Sequence, residues 1–347
     1  MPSITEEQKT ETAQTLVKSP LKWAGGKSKL VATIMKQIPE GATFNRFVDV
    51  FSGSGVVAVN APERMPSVLL NDFNGDLALL FSCLKSDSRR ALLMAELGEL
   101  FSGSYNTQEW FTAFRDEFNA KTIAKDQSER KAALFVYLNK HAFNGVCRYS
   151  AKGKFNVPYG RPKANPQLNL KEIENFSLRL GRAEITNDSF EQVLPKCSAG
   201  DCVYLDPPYS PVEGQTSNFT AYAGNAFGPA AQNELVCLAE EASHRGALVL
   251  ISNHDTAGTR QLYRHADRLV ELSVARSINS KGGERKKVAE LIAVYLPKNP
   301  ALPLEVQRPP VQEIHQFVSE PAAPAAKAKR PGRAVGLPLI RQMLNAS

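Results

Sequence analysis

Seven short apolar runs, each closed by turn-forming residues, confine this chain to a fold built on a sheet. They are Arg46–Phe51, Ser67–Leu70, Ala183–Thr186, Cys202–Leu205, Ala247–Ser252, Leu269–Ser273 and Leu291–Leu296. Several are almost continuously apolar, as strands must be when helices cover both faces of a parallel sheet. Helical periodicity fills most of the intervals, at Gly75–Leu84, Ala231–Ala242 and Thr259–His265. Strand and helix in alternation specify a doubly wound α/β sheet. The last two runs have no helical pattern between them, which predicts an antiparallel hairpin at the end of the sheet.

One interval breaks the alternation. From Leu84 to about Ser177 no parallel strand is legible; helical periodicity at Gln108–Phe118 and Ser128–Leu138 leads into a polar, basic loop. Roughly ninety residues are too many for a loop in an α/β core and enough for an inserted, mainly helical domain. The expected division is a core of residues 20–84 and 177–297, an insert at 85–176, a flexible N-terminus at 1–19 and a Pro- and Ala-rich basic tail at 298–347 without fixed structure.

Bulk properties narrow the function. A composition of 43% hydrophobic and 22% charged residues is that of a globular protein. No apolar run approaches the ~20 residues of a bilayer span, and the polar N-terminus lacks a signal-peptide core. Cys83, Cys147, Cys197, Cys202 and Cys237 are scattered without metal-ligand spacing, so they read as reduced thiols of a cytoplasmic, metal-free protein. A monomer is expected. The net charge of +7 points to a polyanionic partner. Part of that excess is local. Lys327, Lys329, Arg330, Arg333 and Arg341 lie in Pro321–Ser347, which has no acidic residue and is either a solvated tail or an arm touching nucleic acid.

Near the start, LKWAGGKSKL (Leu21–Leu30) looks like a phosphate-binding loop. The pattern G-x-x-x-x-G-K-[ST] needs a glycine five positions before Gly26, where Leu21 stands, and Pro20 blocks a preceding strand. The segment therefore serves another ligand. In FVDVFSGSGVVAVN (Phe47–Asn60), Gly53 and Gly55 end the first strand just before a helix. Glycine there lets a ligand approach the backbone, and the helix start offers unpaired N–H groups. The second strand ends in Asn71-Asp72, whose carboxylate suits the hydroxyls of an adenosine ribose or caps the next helix. These turns indicate a nucleoside-containing cofactor. Ala58 stands where G-x-G-x-x-G has its third glycine, so NAD and S-adenosylmethionine both stay open.

The strongest signal is DCVYLDPPYSP (Asp201–Pro211), a buried strand ending in Asp206-Pro207-Pro208-Tyr209. Such a tetrad suits methylation of a planar exocyclic amine, whose lone pair is delocalised into its ring. The Asp206 carboxylate and the Pro207 carbonyl each accept one amine hydrogen and turn the lone pair toward an incoming methyl group. The prolines keep those acceptors aimed, and Tyr209 offers a face for a stacked base.

With these residues in place, the chain resembles the Dam-type family of DNA adenine-N6 methyltransferases. The likeness runs from Leu21 to Leu296. It rests on KWAGGKS, FSGSG, ND.N at Asn71–Asn74, FNGVCRYSAKGKFNVPYGR at Phe143–Arg161, DPPY, NFTAY at Asn218–Tyr222, ISNHDT at Ile251–Thr256 and RSINSKGGERKKV at Arg276–Val288. It implies a Rossmann-like methyltransferase sheet of seven strands, S-adenosyl-L-methionine as cofactor and double-stranded DNA as partner. The implied cofactor residues are Trp23, Lys27, Asp49, Phe51, Gly53, Gly55, Asp72 and Asp206, with Lys27 meeting the methionine carboxylate, Trp23 packing nearby and Asp72 on the ribose. Asp206, Pro207 and Tyr209 are the implied catalytic residues.

The insert carries the DNA-binding signal. Lys140–Arg161 interleaves Lys140, Arg148, Lys152, Lys154 and Arg161 with Phe143, Tyr149, Phe155 and Tyr159; basic groups serve phosphates and base edges, and aromatics stack or wedge. By resemblance, Val146, Arg148 and Pro158 read the sequence GATC, Phe143 and Asn144 enter the duplex, and Lys140, Asn156 and Arg161 complete the surface. Val146 replaces a leucine, Lys140 an arginine and Ser150 an asparagine common in the family, which touches target choice more than the reaction. The basic run Lys281–Lys287 reaches phosphate or forms a solvated turn, and His254 is structural. Two other functions share parts of this pattern: methylation of RNA or a protein glutamine, and DNA binding without catalysis.

Overall fold

The computed structural model describes residues 16–120, 128–209, 227–274 and 288–298. The expectations for residues 1–15, NFTAY, the basic run Lys281–Lys287 and the tail fall outside them. The sheet strands are β1 (Arg46–Asp49), β2 (Ser67–Asn71), β3 (Ala183–Thr186), β4 (Asp201–Leu205), β5 (Leu248–His254), β6 (Arg268–Val274) and β7 (Val288–Tyr295). Their order is β3-β2-β1-β4-β5-β7-β6, parallel from β3 to β5, with β7 antiparallel to both β5 and β6. The expected terminal hairpin is present. Its second strand, β7, slots between β5 and β6, placing the longest apolar run against the core.

Alternation along each strand feeds two apolar layers. Phe47, Leu70, Tyr204, Leu250 and Ile292 join one cluster, while Val48, Leu69, Val203, Val249 and Leu291 join the other. Both faces are buried, as the apolar runs predicted. The first layer is covered by α1 (Val31–Met35), α2 (Val56–Val59), α3 (Gly75–Lys85) and α7 (Leu170–Leu180). The second is covered by α8 (Phe190–Val193), α9 (Pro229–His244) and α10 (Ala257–Leu262). Helix α10 starts two residues before the predicted segment because Thr256 and Thr259 form a capping box.

The helices α4 (Asp87–Leu100), α5 (Gln108–Asn119) and α6 (Ser128–His141) occupy the predicted insert. Thr107 caps α5 by accepting from the Trp110 amide, and the phenylalanines of α5, Phe111, Phe114 and Phe118, point inward. Every residue of α6 from Ala132 to Asn139 is buried, so this helix is surrounded on all sides. Its apolar residues belong to the same continuous cluster as the first sheet layer.

Where β1 and β4 lie side by side, successive strands stop adding on one side of β1 and begin on the other. At such a reversal the loops after the two strands part, leaving a crevice at their carboxyl ends. Asp49 ends β1 and Asp206 follows β4.

Candidate functional site

The turn after β1 requires glycine. Gly53 has φ +48° and Gly55 φ +74°, a region that L side chains rarely adopt. A Cβ on Gly53 would lie 2.6 Å from Trp23 Nε1, so the indole packs directly over the glycine backbone. The Gly53 amide donates to Asp72 Oδ2 at 2.8 Å, and the Asn74 amide donates to Asp72 Oδ1 at 2.9 Å. The predicted Trp23, Gly53 and Asp72 thus form one contiguous unit. Phe51 packs with Phe190 and Phe227 at centroid distances of 6.0 and 5.9 Å, an aromatic group that belongs to the second apolar layer, whereas Trp23 packs against the first.

Lys27 is only 6% exposed, and its ammonium lies 2.9 Å from Asp206 Oδ2 and 2.8 Å from the Gly25 carbonyl. It also stands 4.7 Å from the centre of the Tyr209 ring. One cation therefore serves a group of carboxylates. Burial raises the Asp49 carboxyl well above its ordinary range, and Asp206 and Asp72 push in the same direction. Burial also lifts Asp72 to about 6 against the pull of its two amide donors. For Asp206 burial again pushes upward, while Lys27 opposes it. Asp49 Oδ1, Ser52 Oγ and Asp206 Oδ1 are buried without a hydrogen-bond partner among the described residues. Three clustered carboxyl groups against one ammonium, with buried oxygens left unpaired, suit a ligand that is cationic and brings its own N–H or O–H donors.

The loop after β4 is fastened from three directions. Gln232 of α9 donates to the Pro208 carbonyl at 2.8 Å, and Gln232 is itself buried against Asn253. The Tyr209 hydroxyl donates to Glu290 Oε2 of β7 at 3.2 Å, and His254, directly opposite Glu290 in the β5–β7 pairing, meets the Tyr209 ring edge-on at 4.7 Å. Gln232 and Glu290 gave no sequence signal. Asn253 lies in ISNHDT, where the motif marked the place without its role.

Residues 142–160 double back on themselves. Ala142 pairs with Tyr159 and Tyr149 with Phe155, both antiparallel. Alternation then sorts the side chains: Cys147, Phe155 and Val157 turn inward, while Arg148, Asn156 and Pro158 are exposed. Phe143 is 51% exposed, Val146 is half-buried, and Asn144 is held in the left-handed region at φ +54°. Arg161 is exposed and also left-handed, at φ +49°. Six predicted interface residues are thus exposed along one doubled-back segment. Lys140 is half-buried at the end of α6, and burial lowers its ammonium pKa. Among the aromatics read as stacking groups, Phe143 alone is exposed. Phe155 is buried, and the Tyr149 and Tyr159 hydroxyls are bonded to Asp76 and Asn106.

A buried amide joins this segment to the start of the chain. Asn139 accepts from the Lys22 amide at 2.9 Å and donates to the Lys22 carbonyl at 2.7 Å and the Gly145 carbonyl at 3.1 Å. The stretch that carries Trp23 and Lys27 is therefore pinned to the exposed turn at Phe143–Gly145.

Residues 23–278 match the family described as D12 class N6 adenine-specific DNA methyltransferase. The chain belongs to that family. It is 40% identical to the DNA adenine methylase of Escherichia coli (strain K12) over 278 residues, which covers 80% of this chain and 95% of that protein. It is 38% identical to the DNA adenine methylase of Serratia marcescens, covering 79% of this chain and 97% of the relative. With the DNA N-6-adenine-methyltransferase of Escherichia phage P1 it shares 38% identity over 85% of its own length and 37% of the phage protein's. The seven-stranded sheet with its antiparallel end is the Rossmann-like methyltransferase fold that the family resemblance implied. Among the described residues, no helix of this methyltransferase is long and apolar enough to cross a membrane, and no group of side chains could hold a metal ion.

Proposed function

We propose that this chain transfers a methyl group from S-adenosyl-L-methionine to the N6 amine of an adenine flipped out of double-stranded DNA, in the sequence GATC. The observation that carries this reading is the state of Asp206. One carboxylate oxygen is engaged by Lys27, and the other is buried with no hydrogen-bond partner among the described residues. An acceptor held that way takes a hydrogen from a planar amine.

When bound, S-adenosyl-L-methionine supplies an electrophilic methyl carbon on a sulfonium. The protein's part is positioning and electrostatics. Asp49, Asp72 and Asp206 against Lys27 give the charge that a sulfonium and an α-ammonium complement, and the Asp72 oxygens accept from ribose hydroxyls. Lys27, paired to Asp206, would also hold the methionine carboxylate. Asp206 Oδ1 and the Pro207 carbonyl accept the two amine hydrogens, which draws the lone pair out of conjugation. Gln232 keeps the loop from drifting by holding the next carbonyl. The proton released after transfer leaves to water.

The target base is unreachable inside a duplex, and flipping it costs a few kcal/mol. Phe143 and Asn144, on an exposed turn, serve to enter the gap. Arg148 offers a guanidinium for a guanine edge, steadied by Asn156 Oδ1 at 2.8 Å. Residues 85–176 act as the recognition part.

The test is labelled methyl transfer offered in parallel to duplex DNA, RNA and protein, followed by digestion of the DNA with a nuclease blocked by GATC methylation. Label in RNA or protein alone rejects the substrate, and digestible product rejects the sequence. Arg148→Ala loses about 1–3 kcal/mol of discrimination, roughly five- to 150-fold in kcat/KM for GATC relative to single-base variants. An unchanged ratio removes Arg148 from base recognition. Cofactor affinity, measured by calorimetry across pH, weakens as pH falls through about 6, where Asp72 gains a proton and loses an acceptor. Asp72→Asn flattens that profile; a profile identical to the parent's takes Asp72 out of the cofactor site.

A further inference from the structure

Tyr149 belongs to the doubled-back segment, yet its hydroxyl leaves it. It donates to Asp76 Oδ2 at 2.6 Å and lies 3.5 Å from Asn74 Nδ2. Asn74 is the N-cap of α3 and accepts from the Asp76 amide at 3.0 Å. The Asn74 amide donates to Asp72, which holds Gly53 through its other oxygen. A continuous hydrogen-bonded path thus runs from the glycine turn after β1, through the loop after β2, into the segment bearing Arg148.

The far end of the path is equally well held. Arg148 and Asn156 are joined through the Asn156 amide to the Arg148 carbonyl at 3.1 Å and through their side chains. Tyr149 pairs with Phe155, whose amide and carbonyl are both clamped by the Asn119 side chain of α5. The second oxygen of Asp76 takes Lys131 of α6 at 3.1 Å, and α6 leads into the turn at Phe143. A short hydroxyl-to-carboxylate bond is charge-assisted and about twice as strong as a neutral one. A base-reading group must be held within about 0.5 Å to discriminate. The arm carrying Arg148 therefore takes its register from the loop after β2.

We propose that Tyr149 is a positioning residue for sequence discrimination, its hydroxyl fastening the arm of Arg148 and Asn156 to Asp76 in the first turn of α3, next to the loop after β2. This rests on the proposed roles of Arg148 on the base and Asp72 on the cofactor. Tyr149→Phe keeps the ring packed edge-on against Phe155 and removes only the hydroxyl.

The experiment measures kcat and KM for the duplex that the full-length parent methylates fastest and for its single-base-pair variants. Tyr149→Phe lowers the discrimination ratio about tenfold, raises KM for the preferred duplex and leaves kcat within about twofold. The ratio is independent of how much enzyme is folded, so plain destabilisation, followed separately by thermal melting, does not imitate it. Asp76→Asn shifts the ratio in the same direction, and the double variant is no worse than Asp76→Asn alone, which cuts the same link and also gives up the Lys131 ion pair. A ratio within twofold of the parent's in Tyr149→Phe, or a double variant showing the product of both losses, overturns the link while the function stands. A parent that does not discriminate among duplexes overturns the proposed function and this inference together.

Discussion

Asp206→Ala abolishes methyl transfer to duplex DNA, with kcat falling on the order of 10³-fold, while binding of the duplex stays within about threefold. The loss has two sources. The amine loses the acceptor that Oδ1 supplies, and Lys27 loses the partner 2.9 Å away that balances its charge in an almost closed site. Leaving one member of a buried pair alone costs about 3–5 kcal/mol, so the variant also melts earlier. Single-turnover rates with saturating cofactor and DNA, corrected for the folded fraction, separate the two. Asp206→Asn provides the control, since it retains a carbonyl acceptor of similar volume and gives up the charge. Parental rates in the alanine variant at equal folded fraction would refute the mechanism outright.

Lys27→Met produces the second largest loss, about 10²-fold in kcat/KM near neutral pH, and changes the pH profile in a direction that identifies the cause. Lys27 opposes the upward push of burial on Asp206 more than any other group, ahead of the Tyr209 hydroxyl. Without it, the Asp206 carboxyl rises further, and less of it is ionised at pH 7. The acid limb of kcat moves to higher pH, and part of the lost rate returns as the pH is raised. Cofactor affinity falls as well, because Lys27 also faces the methionine carboxylate in the proposed complex. A variant whose acid limb stays in place would show that Lys27 acts on the cofactor alone.

The strand limits were legible because each apolar run ends where turn chemistry begins. β3 matches the run read from the sequence, and β1, β2 and β4 differ from theirs by one or two residues at an end. Helices α4 and α7 were not read. In α7 the exposed Leu170 and Leu178 blur the apolar stripe formed by Ile173, Phe176 and Leu180. In α4, the buried Leu93, Leu97 and Leu100 are interrupted by the exposed Leu92. For α6 the periodicity was correctly taken as helical, but only its position among α3, α4 and α5 makes it the buried centre of its layer.

The site divides in the same way. Gly53, Gly55, Asp72, Asp206 and Tyr209 could be named in advance, because a strand tip followed by glycine, proline or a carboxylate is a local pattern with local geometric meaning. That Lys27 settles on Asp206, that Gln232 and Glu290 steady the loop after β4, and that Tyr149 reaches Asp76 are contacts between residues far apart in the chain. Periodicity carries information about which face a residue occupies and none about which distant side chain it meets there. Strand order, with β7 set between β5 and β6, and the packing of α6 bring those partners within bonding distance. The sequence alone determined the chemistry available at each strand end; the tertiary structure decided which of those groups act on one another, because pairing depends on register and packing across the whole fold.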